Sequence, residues 1–178
     1  MNENLKKTGP LDAPAKTHVT LTVNGRPYRL ETGKGAGKIG PSDTLSFTLR
    51  ETLGLTGTKL SCDAGACGGC TIIMEGKAVL SCMLLSIECD GREILTIEGL
   101  RDSKTGDLDP LQQSFIDHTA FQCGFCTPGM IMSAKALLNE NPLPTRDEVK
   151  EALSGNFCRC ISHYQVVDAV LAATGKER

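Results

Sequence analysis

Cys62-Asp63-Ala64-Gly65-Ala66-Cys67-Gly68-Gly69-Cys70 is the stretch on which the fold reading turns. Three cysteines alternate with small residues, and three glycines lie among them. Glycine accepts left-handed backbone without steric cost. Gly65, Gly68 and Gly69 therefore predict a tight loop that aims successive backbone N–H groups inward. Strand signals lie on both sides of it. Upstream, residues 18–23 alternate polar and apolar, Asn24-Gly25 suits a type I′ turn, and residues 28–31 return as a second strand. Pro27 suits an edge position. Ser42 or Asp43 can cap a helix with Leu45, Leu49 and Leu53 on one face, and Gly54 is a stop signal. Downstream, residues 71–74 and 78–80 form two short apolar stretches joined by Glu75-Gly76-Lys77, and residues 93–97 read as a further strand. A small sheet with one helix across it accounts for this order.

Cys62-x4-Cys67-x2-Cys70-x11-Cys82 has the spacing of a plant-type [2Fe–2S] site. Two ferric ions, two sulfides and four thiolates leave a net dianion. Burying a dianion is costly unless it is well hydrogen-bonded. The glycine loop supplies that bonding, and Cys82 closes the site from the adjacent strand region. A zinc site is the bland alternative. Zinc sites usually pair two C-x2-C-like knuckles, and only Cys67 and Cys70 form one here.

The rest of the composition narrows the class. The 178 residues suit one ordinary domain or two small ones. Apolar residues make up 40%, charged residues 22%, and the net charge is −2, a globular balance with too little charge for disorder. No basic stripe appears and the pI is near 5.9, so nucleic acid is not an expected partner. No run approaches the roughly 18 apolar residues of a membrane span. Residues 1–16 are polar, contain Pro10 and Pro14, and lack both an apolar signal core and a twin-arginine pair. They read as a flexible arm, and the expected compartment is the cytoplasm. Nine cysteines in a cytosolic chain point to metal or redox chemistry, since disulfides are rare there and nine is odd.

Residues 99–109 form a polar connector with Gly99, Asp102, Ser103, Gly106 and Asp107. Beyond it the pattern is helical. Asp109 can cap a first helix with Pro110 in its first turn and Leu111 and Phe115 inward. Thr127 can cap a second, with Met130, Ile131, Ala134, Leu137 and Leu138 as its apolar face and Asn141-Pro142 as its end. Thr145 to Glu148 is a capping box for a third helix, ended by Gly155. Ser162 to Gln165 is a second box, opening a fourth helix through Val166, Val167, Val170 and Leu171. Cys123-x2-Cys126 precedes one helix and Cys158-x-Cys160 another. The positive ends of both helix dipoles then face the thiols, which suits an anionic cluster. This spacing alone also admits a four-cysteine zinc site.

Three motifs together are similar to a known family. Cys62 through Cys70, Gln122-Cys-Gly-Phe-Cys-Thr-Pro-Gly129 and Gly155-Asn-Phe-Cys-Arg-Cys160 resemble the iron–sulfur subunit of the xanthine oxidase family, over roughly residues 17–174. The resemblance implies an α+β chain: a β-grasp ferredoxin-like domain (residues 17–98), the connector 99–109, and an all-α four-helix [2Fe–2S] domain (residues 110–178). It implies that Cys62, Cys67, Cys70 and Cys82 hold one [2Fe–2S] cluster and Cys123, Cys126, Cys158 and Cys160 a second. It further implies a large molybdopterin subunit, a flavin (FAD) subunit, a dimer of heterotrimers, and substrate chemistry at molybdenum on the large chain. Electrons would pass through the helical-domain cluster to the plant-type one and on to FAD. Gln122 and Cys160 would lie against the pterin. A reductive member would run the same path backwards. A free-standing ferredoxin, an iron–sulfur sensor and a structural zinc module are the rival readings. Ile161-Ser162-His163-Tyr164 departs from the family's usual Thr-Gly-Tyr after the last cysteine.

Other features weigh towards plain roles. Gly35-x-Gly37-x-x-Gly40 matches a dinucleotide fingerprint only formally, because residues 28–31 alternate like an antiparallel strand. His163 beside a capping serine is a helix-start residue. Cys89 fits no ligand spacing and reads as a small buried apolar residue. Lys59 reads equally as solvated charge or as a neighbour of an anionic cluster, Arg159 as structure beside the second cluster, and Met130 and Met132 as helix packing.

Overall fold

The computed structural model describes residues 17–35 and 37–175, so the arm assigned to residues 1–16 lies outside it. Strand β1 (His18–Val23) turns its alternate residues Val19, Leu21 and Val23 into the core. It pairs antiparallel with β2 (Arg26–Glu31). Asn24 and Gly25 between them both have positive φ, 52° and 75°, as a type I′ turn requires. β3 (Thr71–Met74) and β4 (Lys77–Leu80) form a second hairpin, with Glu75 and Gly76 in the same left-handed region. β5 (Glu93–Leu95) lies parallel to β1 and antiparallel to β3, which gives the order β2-β1-β5-β3-β4. β2 is thus an edge, and Pro27 in it sacrifices no ladder bond to a further strand. The strand expected over 93–97 stops at Leu95. Thr96 turns aside because its N–H donates to Asn24 Oδ1 at 2.8 Å and its hydroxyl to Glu98 Oε2 at 2.6 Å.

The helix across the sheet is shorter than its periodicity suggests. α1 (Leu45–Phe47) passes into a π-helical turn, Thr48–Thr52, before Gly54 ends it at positive φ. Its cap is Thr44, whose Oγ1 accepts from the Phe47 N–H at 3.3 Å, and not Ser42 or Asp43. The Asp43 carboxylate is already occupied by the Gly40 N–H at 2.7 Å. Leu45 and Leu49 are fully buried with Val19, Leu21, Ile39 and Ile72. Cys89 joins this core, its Sγ 3.4 Å from the Leu85 carbonyl oxygen, and burial pushes its thiol up. Cys89→Ala is expected to lower stability by about 1 kcal/mol, as for loss of one buried heavy atom. It should leave iron content unchanged; a fall in iron per chain would show that Cys89 holds metal.

Four helices follow the sheet. α2 (Pro110–Asp117) and α4 (Arg146–Ala152) start with complete capping boxes, Asp109 with Gln112 and Thr145 with Glu148. α5 (His163–Ala173) starts at Ser162, whose hydroxyl accepts from the Tyr164 N–H, but the reciprocal bond from Gln165 is not made. α3 (Thr127–Glu140) departs further from expectation. Cys126 takes the cap position and Thr127 is the first helical residue, its hydroxyl buried without a partner. Met130, Ile131 and Ala134 join Leu111, Phe115, Val149, Val166 and Val170 in one core. Met132 and Ala136, on another face, pack with Ile73 of β3. α3 is therefore buried on two sides, and it ties the helices to the sheet. The chain is an α+β fold. Among the described residues no helix is long and apolar enough to cross a membrane.

Candidate metal centres

The loop between Gly54 and β3 carries Cys62, Cys67 and Cys70 of the first set, and Cys82 follows β4. Gly65 and Gly68 sit at φ 70° and 71°, where a side chain would be strained. A side chain at Gly69 would come within 3.7 Å of Cys67 Sγ. The loop's curl brings the Ala66 N–H to 3.4 Å from Cys62 Sγ. The N–H of Ala64, the Cys67 thiol and the N–H of Ala66 together bring the exposed Cys62 thiol down to about 7. Cys70 behaves oppositely, with burial pushing its thiol up to about 11. Its carbonyl oxygen accepts from both the N–H and the hydroxyl of Ser81, at 3.3 and 2.8 Å, which holds Cys82 beside it. Cys62 thus neighbours Cys67, and Cys70 neighbours both Cys82 and Cys67.

The second set gathers where α3 and α5 begin. Cys123 Sγ and Cys160 Sγ are 3.7 Å apart, and Cys126 meets Cys158. Cys158 Sγ accepts from the N–H groups of Cys160 and Ile161, both at 3.3 Å. Burial opposes its ionisation, yet the Ile161 N–H, the Cys126 thiol, the Cys160 N–H and the Cys160 thiol leave its own thiol below the ordinary value. Burial and then Cys158 push Cys126 up to about 12, and Cys123 raises Cys160. Gly124, at φ 80°, makes the turn between Cys123 and Cys126.

These donors suit a two-iron core. A tetrahedral zinc ion gathers four sulfurs on one point at about 2.3 Å. A [2Fe–2S] cluster spreads them, two per iron. Here Cys123 Sγ and Cys160 Sγ lie 3.7 Å apart, Cys158 neighbours both Cys126 and Cys160, and Cys70 neighbours both Cys67 and Cys82, so each set of four thiols is drawn together. Backbone N–H groups aimed at Cys62 and Cys158 match an anionic occupant.

Other singled-out residues fall as follows. Gln122 is exposed beside Cys123, and Cys160 is exposed with it. His163 is the exposed first residue of α5. Lys59 Nζ donates to the Thr56 carbonyl at 2.9 Å, closing the turn before the loop, while Arg159 is exposed between its two cysteines. Gly35 and Gly37 shape a loop that returns to bridge Thr32 with Ile39, and no helix opens there. Asn156 and Gly129 carry contacts that the motifs contained but that sequence reasoning gave no role; both touch Gly68 from the helices.

Residues 96–171 match the [2Fe-2S] binding domain family. The nicotine 6-hydroxylase small subunit of Paenarthrobacter nicotinovorans is 47% identical over 161 residues, covering 90% of this chain and 92% of that one. A probable xanthine dehydrogenase subunit of Bacillus subtilis is 40% identical over 160 residues, covering 90% and 86%. The crystal structure of quinoline 2-oxidoreductase from Pseudomonas putida 86 contains a chain that matches with a TM-score of 0.81 at 42% identity, over 89% of this chain and 93% of that one. Matches of this identity run through both cysteine sets and span nearly the whole length of their counterparts. The chain belongs to the iron–sulfur subunits of the xanthine oxidase family of oxidoreductases.

Proposed function

We propose that this chain holds two [2Fe–2S] clusters and relays electrons between a molybdopterin site on a large partner subunit and a flavin or other acceptor. The observation that carries this is the gathering of four thiols in each half of the chain, with backbone N–H groups aimed at them. Cys62, Cys67, Cys70 and Cys82 would ligate the first cluster, and Cys123, Cys126, Cys158 and Cys160 the second. The clusters supply one-electron chemistry when bound. The residues of this chain do the rest. Backbone N–H groups from Ala66, Cys160 and Ile161 offset the thiolate charge, and the dipoles of α3 and α5 add to them. Burial of Cys70 and Cys82 keeps water from one side of the first nest.

In this reading the first nest belongs to a β-grasp domain of residues 17–98 and the second to a four-helix domain of residues 110–178, joined by 99–109. Exposed Gln122 and Cys160 would face the pterin. The relatives named as small subunits support a heteromeric assembly. We read it as a dimer of heterotrimers with a flavin subunit, in the cytoplasm, with substrate chemistry on the large chain.

Anaerobic purification of the full chain with its partners tests this. About four irons and four acid-labile sulfides per chain are expected, together with a molybdopterin-containing chain. Colourless protein with two zincs per chain would overturn the cluster reading. Full cluster content without a molybdenum partner would instead leave a free-standing ferredoxin.

A further inference from the structure

The two nests touch through the backbone. Gly68 lies in the first loop, between Cys67 and Cys70. Its carbonyl oxygen accepts from the N–H and the hydroxyl of Thr71 in its own half, at 3.2 and 2.8 Å. A third donor comes from the helical half, Asn156 Nδ2 at 3.1 Å. Asn156 is only 4% exposed, so water does not compete for this amide. The next residue, Phe157, donates its backbone N–H to the Cys67 carbonyl oxygen at 3.0 Å. Cys67 and Cys158, one thiol residue from each nest, are thus linked by peptide bonds and a single hydrogen bond. Gly129, in the first turn of α3, closes the remaining side: a methyl group there would collide with Gly68 O.

We propose that Asn156 is a positioning residue for electron transfer between the two nests. Its amide grips the Gly68 carbonyl and so keeps the Phe157 N–H on the Cys67 carbonyl. This rests on the two-cluster reading above. With a cluster held in each nest, the electron lost by one would be gained by the other, with no covalent bond broken and no proton moved. The role is separable from holding the loop. Without Asn156, the Gly68 carbonyl still has both Thr71 donors, so the loop keeps its internal bonding while the seam between the halves loosens. Asn156→Asp is the sharpest variant, because it keeps the shape but sets a carboxylate oxygen against a carbonyl oxygen.

The test uses the purified complex, reduced with dithionite. Readouts are iron and sulfide content, the paramagnetic resonance signal of each cluster, their mutual magnetic splitting, and the rate of inter-cluster equilibration after rapid reduction. Asn156→Asp and Asn156→Ala should keep full iron, full sulfide and both signals, while the splitting narrows and equilibration slows severalfold. Unchanged splitting and rate in both Asn156 variants would overturn the proposal. So would loss of one cluster in Asn156→Ala, since that would make Asn156 a residue that holds a cluster. A wild-type complex lacking the two cluster signals would defeat the two-cluster reading instead.

Discussion

Cys158→Ala is expected to remove the second cluster and roughly half of the iron and sulfide, while the first cluster survives. Cys158 does three things in the second nest. Its sulfur meets Cys126, accepts the Cys160 N–H and accepts the Ile161 N–H. Removing it leaves two backbone donors aimed at nothing, just ahead of α5. It also leaves Cys126 as a partly buried thiol that burial already pushes towards the neutral form, which is the wrong form for a ligand. Three remaining thiols cannot complete two irons with two protein ligands each. Ligand binding of this kind is also folding free energy. The starts of α3 and α5 would lose the group that joins them, and thermal unfolding of the helical half should come earlier. Iron analysis and electron paramagnetic resonance separate the outcomes. A signal from the first cluster with none from the second is the expected result. Full iron content in the variant would take Cys158 out of the ligand set.

What the sequence conveyed, and what it did not, divides along the range of the forces. Local features were legible. Alternation in residues 18–23, Asn24-Gly25 with both φ positive, and the boxes opened by Asp109 and Thr145 depend on neighbours a few residues apart. That Cys123 and Cys126 lie just ahead of one helix and Cys158 and Cys160 just ahead of another was legible for the same reason. Features set by distant contacts were not. The Asn156 amide meets Gly68 across 88 residues, and no periodicity announces such a bond. α3 shows one apolar face in its heptad-like pattern, but Met132 and Ala136 are buried by the sheet on another. Thr127 looks like a cap from its type and place beside Pro128. The chain instead enters the helix at Cys126, and the hydroxyl is left buried without a partner. Asp43 similarly looks like a cap, and loses that role to a bond with Gly40 that a helix pattern cannot foresee.

Gly68→Ala should be the most damaging change to the first nest outside its cysteines. Two costs add. The residue sits at φ 71°, and left-handed backbone costs an L-residue about 1–2 kcal/mol. The new methyl would also stand 2.5 Å from Asn156 Nδ2, 2.6 Å from the Gly155 carbonyl oxygen and 3.0 Å from Asn156 Cα. Two of those atoms are backbone of the other half and cannot rotate away. Overpacking of this kind typically costs about 1–3 kcal/mol more. Gly65→Ala isolates the first cost. It has nearly the same φ, 70°, but its methyl would meet only the Met83 side chain, at 3.0 Å, and Met83 is 60% exposed and free to swing aside. Gly65→Ala should therefore lose about 1–2 kcal/mol and keep its iron. Gly68→Ala should lose about 3 kcal/mol or more and release iron from the first cluster, because the loop must retreat from the helices to admit the methyl. Denaturant unfolding with iron analysis compares the two directly. Equal losses would mean that backbone strain alone sets the cost, and that the seam between the halves yields without resistance. A gap between them would measure how firmly the helices press on the loop that carries Cys62, Cys67 and Cys70.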